Sequence, residues 1–572
     1  MTGQGIVADS LGESEFDFRP WCNRALLVVV LTALVSTRLL AHAEAGGLWR
    51  DEAQSVEIAT HSDFWQYCSN DSFPVLWSVV LRGWVALFGS EDAAVRALGL
   101  TIGLAIIPAM FWTARQFRVA IPYWMLLFLG LDPSLIIYGG EVRGYGLGVL
   151  TLLLMVGAAW RALQTQTGWR WAGFCLTSLL AVQASYTNCF LLLGTICGCC
   201  VVALRRRQYR VLWKFVAVGA VAALSMLPYA VFVFPRVSEW AITIRRPNSW
   251  GDLAGVCFET VLQGGVLRML AWLAVGSLAA VEIARQLRWR NLTNRETNAG
   301  DEVERALFLA TFFVVGSAGF WWYLKWLHVP TQAWSYLPWL TLLAITADLG
   351  SKPWEEREPA RYQKKLVAVT VCLLMLFTVV PAVRFRMTSI DLMAQKLVNE
   401  TKPDDLIVIC PWSMGSSFQR YYHGSTPWTN FPNVNHTVGA GYLEMKQQVM
   451  SKGTPAGITQ DLARFRKVLD SGGRIWWVGQ FRSLKPKQVP TVLEPAPDSK
   501  HGWDEKAYLD SCLEFASQAI RSVATPVRRI DTDLPVGANP FESPSIRVFQ
   551  IPAKSRQTPR GVHAPPTDDS NG

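Results

Sequence analysis

Charge is scarce in this chain. Asp, Glu, Lys and Arg make up 17% of its 572 residues while hydrophobic residues make up 51%, and soluble domains carry roughly 25% charge. With a mean hydropathy of +0.21, that shortage excludes an ordinary soluble globule and points to a membrane protein. Paired or metal-spaced cysteines are missing as well. Most of the 11 Cys lie inside apolar runs (Cys175, Cys189, Cys197, Cys199, Cys200, Cys372), and Cys199-Cys200, Cys410 and Cys512 form no ligand spacing. They read as small buried hydrophobes, which argues against zinc.

Aromatic and basic residues are plentiful. Aromatics reach 12%, with 26 Trp, a residue that collects at membrane–water interfaces. A net charge of +10 would suggest nucleic acid as the partner of a soluble protein. Cytoplasmic loops of membrane proteins also collect Lys and Arg, so membrane lipids are the expected partner and nucleic acid is not.

Runs of about 20 apolar residues can cross a bilayer. They occur at 25–44, 93–114, 120–138, 143–163, 171–186, 189–204, 211–233, 263–284, 306–327, 331–348 and 364–384, an expectation of about eleven transmembrane helices. Basic residues fall at alternate connections: Arg115/Arg118, Arg161/Arg170, Arg205-Arg206-Arg207/Arg210, Arg285/Arg288/Arg290/Arg295 and Lys352/Arg357/Arg361/Lys364/Lys365. Setting these inside gives a cytoplasmic N-terminus, residues 1–24, and an extracytoplasmic C-terminus. The loops left outside are 45–92, 139–142, 187–188, 234–262 and 328–330. The first run ends in Ala41-His42-Ala43, which mimics a signal-peptidase site, but its length favours an uncleaved anchor. Phe73 to Phe88 is apolar but short and carries Arg82, so it reads as an amphipathic helix on the outer surface, with a short tilted span as the alternative.

After residue 384 the character changes. Asp404 to Cys410, Arg474 to Gly479, Arg528 to Asp531 and Ser545 to Ile551 are short strand-like runs, with helical stretches at 458–470 and 504–522. Such alternation predicts an extracytoplasmic α/β domain over 385–552. The polar tail 553–572, rich in Pro, Gly and Ser, reads as disordered.

In a membrane protein the informative residues are ionisable groups at the outer boundary. Asp51-Glu52 follows the first apolar run, and two adjacent carboxylates can supply a general base and a hydrogen-bonding or metal partner; acids in the first turn of a solvated helix are the alternative. Glu141, Arg143 and Tyr145 follow Asp132-Pro133 at another outer boundary, where an Arg suits a phosphate. An internal Glu141–Arg143 pair or a snorkelling Arg143 competes with that reading. Tyr186-Thr187-Asn188 is a polar break that doubles as a hairpin turn. Arg245-Arg246, in an outer loop with Arg236 and Glu239, suits an anionic ligand or lipid headgroups. His328 to Gln332 runs into Trp334-Ser335-Tyr336, where Trp and Tyr also serve as interface anchors. All five clusters fall on the outer face.

The order of these segments resembles the glycosyltransferases of GT-C fold, in particular the protein O-mannosyltransferase family (glycosyltransferase family 39) and its bacterial relatives that modify lipid A or lipopolysaccharide. WRDEA around Asp51-Glu52 carries the acidic pair. Asp71 to Trp77 is similar to a proline-containing "HPPLYY" segment, and Phe88 to Arg96 to the "FG-x-x-E…R" stretch that follows it. YGGEVRGY (Tyr138 to Tyr145) is similar to "YSQEARMY", Tyr186-Thr187-Asn188 to "Y-T-H-Y", and Trp334 to Pro338 to "RYLLP". The resemblance covers roughly residues 20–390. It implies a GT-C transmembrane domain over 25–384, a polyprenyl-phosphate sugar donor, and a glycan, lipid or protein acceptor outside the bacterial inner membrane, with inversion at the anomeric carbon. It makes Asp51 the catalytic base with Glu52 as its support, and Arg143 the donor-phosphate ligand with Arg245 and Arg246. Glu141, Tyr145, Tyr186, Asn188, Gln332 and Tyr336 become further site candidates. Asp71 matches a metal-contacting acid of some relatives. The family's His before the prolines is absent, His is Asn188 in the "Y-T-H-Y" turn, and no Arg stands between Gln332 and Tyr336, so a divalent metal is left open.

Two readings compete with a transferase. A transporter or flippase of lipid-linked glycans predicts ionisable residues through the bundle's depth and internal repeats; the ionisable residues concentrate on the outer face instead, and no repeat is visible. A non-catalytic membrane scaffold leaves the convergence of acids and arginines unexplained.

Overall fold

The computed structural model describes residues 19–69, 71–263, 265–289, 297–352, 360–485, 488–531 and 537–552. The N-terminal residues 1–18, the loop cations Arg290, Arg295 and Arg357, and the tail 553–572 expected to be disordered lie outside the described residues.

The chain is an integral membrane protein built largely of helices. The first anchor is α1 (Arg19–Glu44), followed by three short helices, α2 (Arg50–Thr60), α3 (Phe64–Cys68) and α4 (Leu76–Phe88). The bundle continues with α5 (Asp92–Gln116), α6 (Pro133–Gly139), α7 (Tyr145–Gln164), α8 (Gly168–Ala184) and α9 (Asn188–Arg205). Then come α10 (Tyr209–Ser225), α11 (Phe234–Ala241), α12 (Trp250–Leu262), α13 (Val266–Trp289), α14 (Thr297–Leu327), α15 (Leu337–Gly350) and α16 (Ala360–Val383). Among the described residues, 8 helical segments are long and apolar enough to cross a membrane.

The other three expected spans are helical but shorter or broken. The 120–138 run is a π-helical turn, Met125–Leu129, and then α6. Proline cannot donate into a continuing helix, so Pro133 starts α6 while the Asp132 carboxylate caps it, accepting from the Leu135 amide at 2.9 Å. Helix α8 has 17 residues, and the 331–348 run opens with a 3-10 turn, Ala333–Tyr336. The 73–88 run forms the short helix α4 from Leu76 onward, and Arg82 donates to the carbonyls of Ala59 and His61.

The two ends of the bundle differ. One carries Arg118 paired with Asp301 at 3.0 Å and Arg206 with Glu304 at 2.5 Å. The opposite end carries α2 to α4, the 140–144 turn, α11, the 328–336 segment and the C-terminal domain, joined by contacts such as Arg246 N to His328 O at 2.7 Å. Within the bundle Asp132 also pairs with Arg268 of α13, and both side chains are fully buried.

The C-terminal domain begins with β1 (Phe385–Arg386) and α17 (Ile390–Glu400), then β2 (Leu406–Cys410), α18 (Gly415–Tyr421), β3 (Trp428–Asn430) and α19 (Val438–Glu444). It ends with α20 (Thr459–Asp470), β4 (Ile475–Gly479), α21 (Glu505–Arg521), β5 (Thr525–Ile530), β6 (Gly537–Ala538) and β7 (Ile546–Gln550). Five strands form one sheet in the order β3-β2-β4-β7-β5, parallel from β3 to β4 and antiparallel beyond. Every residue of β2 is buried, as a strand covered on both faces requires. Leu406, Val408 and Cys410 face the core under α20 and α21, and Ile407 and Ile409 face the core under α17 and α18.

Candidate active site

The site is built around the first turn of α2. Gly46 takes a left-handed φ of +67°, and an added Cβ would strike the Arg386 guanidinium. That turn directs two carbonyls at Arg96 of α5, which donates to Gly46 O at 3.1 Å and Gly47 O at 2.7 Å. Arg96 also pairs with the Glu52 carboxylate at 3.1 Å. Glu52 accepts in addition from the Trp49 amide at 3.2 Å and the Val142 amide at 3.0 Å, and it is fully buried. One carboxylate therefore fastens α2, α5 and the 140–144 turn together.

Asp51, one position earlier on the helix, points elsewhere. Its side chain keeps 20% of its surface exposed, 3.4 Å from Arg50 Nε and 4.0 Å from Arg143 Nη2. Arg143 pairs with the buried Asp71 at 3.5 Å and donates to Ser55 Oγ at 2.9 Å and Ser72 Oγ at 2.6 Å. Its guanidinium lies 5.0 Å from the Phe73 ring centroid. Burial works against the Arg143 cation, but Asp71 and Asp51 outweigh it and raise its pKa, so it stays charged.

Asp51 and Arg143 share a cavity of about 320 Å³. Ser72, Tyr145, Ser185, Tyr186, Thr187, Thr331 and Ser335 line its polar part, and Leu324, Leu327, Pro330, Trp334 and Pro338 its apolar wall. Burial, followed by Tyr229, holds the Tyr186 phenol well above its usual pKa, so it remains a neutral donor.

The remaining candidates lie outside this cavity. Glu141 lines a separate space of about 30 Å³ with Arg38, His42 and Arg96. Its carboxylate oxygens have no hydrogen-bond partner among the described residues. Burial, with Glu52 and Asp51 adding to it, pushes its carboxyl well above the usual range. Asn188 donates to Gly148 O and Ala181 O, both at 3.0 Å, and so joins α7, α8 and α9. Tyr336 donates to Leu253 O at 2.8 Å and anchors α12, and Gln332 caps the 3-10 turn before it. Arg245 and Arg246 are exposed, and Arg246 pairs with Asp504 of the C-terminal domain at 3.1 Å.

Sequence reasoning missed Ser185 and Tyr323 as cavity residues; Ser72, Thr331 and Ser335 stood inside its motifs and clusters without being singled out. A hydroxyl beside an apolar run carries no signal of which way it faces. The donor set around Asp71 does not fit a divalent ion, because the Arg143 guanidinium pairs with both Asp71 and Asp51. No group of three or more His, Cys, Asp and Glu is arranged as metal ligands among the described residues.

No family model matches the sequence, and no curated protein matches it. Solved structures do. ArnT from Cupriavidus metallidurans bound to undecaprenyl phosphate superposes with a TM-score of 0.52 at 12% identity, over 94% of this chain and 99% of that one. The oligosaccharyltransferase of Archaeoglobus fulgidus, tethered with an acceptor peptide containing the NVT sequon, gives a TM-score of 0.43 at 12% identity, over 81% of this chain and 69% of that one. The chain has the GT-C fold of membrane glycosyltransferases, with a sheet-containing C-terminal domain.

Proposed function

We propose that this GT-C protein transfers a sugar from a polyprenyl-phosphate-linked donor to an acceptor hydroxyl on the extracytoplasmic side of a bacterial inner membrane. The observation that carries the reading is the shared cavity: one carboxylate, one guanidinium, a set of hydroxyls and an apolar wall within about 320 Å³. An amphiphilic donor needs that combination. The bound undecaprenyl phosphate of the ArnT structure agrees with it.

Asp51 accepts the proton of the acceptor hydroxyl as its oxygen bonds to the anomeric carbon. The bond from that carbon to the phosphate oxygen breaks on the opposite face, which inverts the configuration. The electron pair leaves on the phosphate, and Arg143 with the Ser72 and Tyr186 hydroxyls stabilises the charge that grows there. Arg143 needs no reorganisation, because Asp71, Ser55 and Ser72 already fix it. Glu52 acts through Arg96 and Val142 by fixing the helix that carries Asp51. The basic loops at the end of the bundle away from α2 support a cytoplasmic N-terminus, since such loops stay inside.

The test uses membranes containing the full-length protein and a panel of radiolabelled undecaprenyl-phosphate monosaccharides. The wild type transfers label from at least one of them, and Asp51→Asn lowers that transfer about 10²–10⁴-fold. Full-rate transfer by Asp51→Asn removes Asp51 as the base.

A further inference from the structure

The C-terminal domain grips the segment that carries Asp51. Met387 N donates to Ala45 O at 2.8 Å, and the Tyr421 hydroxyl accepts from the Leu48 amide at 2.5 Å. Arg50 donates to Ser413 Oγ at 2.8 Å. Ser413 follows the carboxyl end of β2, the edge at which open α/β sheets bind their ligands.

At the centre of this contact is Glu542, in the loop before β7. Its side chain is fully buried. It accepts from the Arg50 backbone amide at 2.8 Å and from Ser417 Oγ at 2.9 and 3.0 Å. The Arg50 amide opens α2, where a carboxylate is favoured by unpaired N–H groups and the helix dipole. The Arg50 side chain lies in turn against Asp51, 3.4 Å from Nε to Oδ1. Glu542 thus holds the backbone of Arg50, and Asp51, the next residue, lies on the cavity wall.

We propose that Glu542 is a positioning residue for sugar transfer: its carboxylate holds the Arg50 amide that opens α2 and so fixes the turn that presents Asp51 to the cavity. The proposal rests on the preceding reading of Asp51. With Glu542 ionised, the Arg50 amide and the positive end of the α2 dipole meet a full negative charge. With Glu542 neutral, that charge-assisted hold weakens and the turn that carries Asp51 loosens.

Burial pushes the Glu542 carboxyl up to about 7, against the opposing pull of Arg50, Thr388 and Ser417. Arg50 is the cation that faces it; Asp51 from α2, Tyr442 from α19 and Glu505 from α21 face Arg50. Glu542 therefore loses its charge as the pH falls below about 7, and transfer falls with it. A transfer rate that follows the charge on Glu542 is what a docking residue indifferent to its charge would not produce.

The experiment measures transfer by the full-length protein in lipid nanodiscs between about pH 5.5 and 8.5, using the radiolabelled undecaprenyl-phosphate sugar best used by the wild type. The wild-type rate rises with a midpoint near about 7. Glu542→Gln loses that rise and runs about tenfold slower at the alkaline end. Ser417→Ala, which removes only one hydrogen bond to the ionised form, moves the midpoint upward by up to about one pH unit; it decides the matter if Glu542→Gln unfolds. A Glu542→Gln protein that keeps the wild-type rise, or a Ser417→Ala protein with an unmoved midpoint, overturns the proposal. If Asp51→Asn is inactive while either of those results is found, only the role of Glu542 fails. If Asp51→Asn transfers at full rate, the transferase assignment of Asp51 fails first.

Discussion

The first turn of α2 has a sealed side and an open side, and adjacent residues fall on each. Glu52 is fully buried, with its oxygens taken by Arg96 and two backbone amides. Asp51 meets a cavity, with arginines at 3.4 and 4.0 Å. The carboxylates are chemically alike, and their surroundings assign them different work. A carboxylate with every lone pair committed holds structure, because freeing it strands a buried cation. One that keeps an accessible edge can take a proton from a ligand. Asp132, sealed against Arg268 inside the bundle, and the buried Asp71, which holds Arg143 at the cavity edge, both repeat the sealed case.

Substitutions can break or sharpen that comparison. On the open side, Arg143→Ala should lower transfer about 10²–10³-fold, through lost stabilisation of the leaving phosphate. Because this change also leaves Asp71 buried without its cation, single-turnover rates per folded molecule provide the measurement. On the sealed side, Glu52→Ala should cost about 3–5 kcal/mol by leaving Arg96 buried and unpaired, read as a fall in the denaturation midpoint. Asp132→Ala should destabilise by a similar amount for the same reason, while the molecules that remain folded transfer at a rate near that of the wild type. Asp71→Asn sits at the boundary: loosening Arg143 should raise the donor KM about tenfold with little change in the unfolding midpoint. The smallest effect belongs to Arg246→Ala. Its pair with Asp504 is about half exposed, and such pairs contribute within about 1 kcal/mol.

The sequence made the bundle legible because apolar length is a strong signal, and its short β-rich runs marked β2, β4, β5 and β7 but not the two- and three-residue strands β1, β3 and β6. The breaks near Asp132-Pro133 and before Pro338 blurred two spans, since a window of hydrophobicity does not see a capped proline. Asp51, Arg143, Tyr145 and Tyr186 line one cavity. Asn188 and Tyr336 carry the same polar signal but spend it on backbone carbonyls of neighbouring helices. Arg245-Arg246 shows why charge outside the membrane is ambiguous. The partner of Arg246 is Asp504, 258 residues away, and nothing local announces it. Glu542 was invisible for the same reason: its role depends on a contact across 492 residues with Arg50.

The central claim is that the open carboxylate does the chemistry and the sealed one does not. It is tested most directly by measuring transfer per folded molecule for Asp51→Asn and Glu52→Gln in the same nanodisc preparation, with the folded fraction taken from the unfolding transition. The account predicts that Asp51→Asn falls about 10²–10⁴-fold at a wild-type folded fraction, and that Glu52→Gln loses folded protein while its surviving molecules stay within about tenfold of the wild-type rate. Equal per-molecule losses in the two variants, or a larger loss for Glu52→Gln, would contradict it.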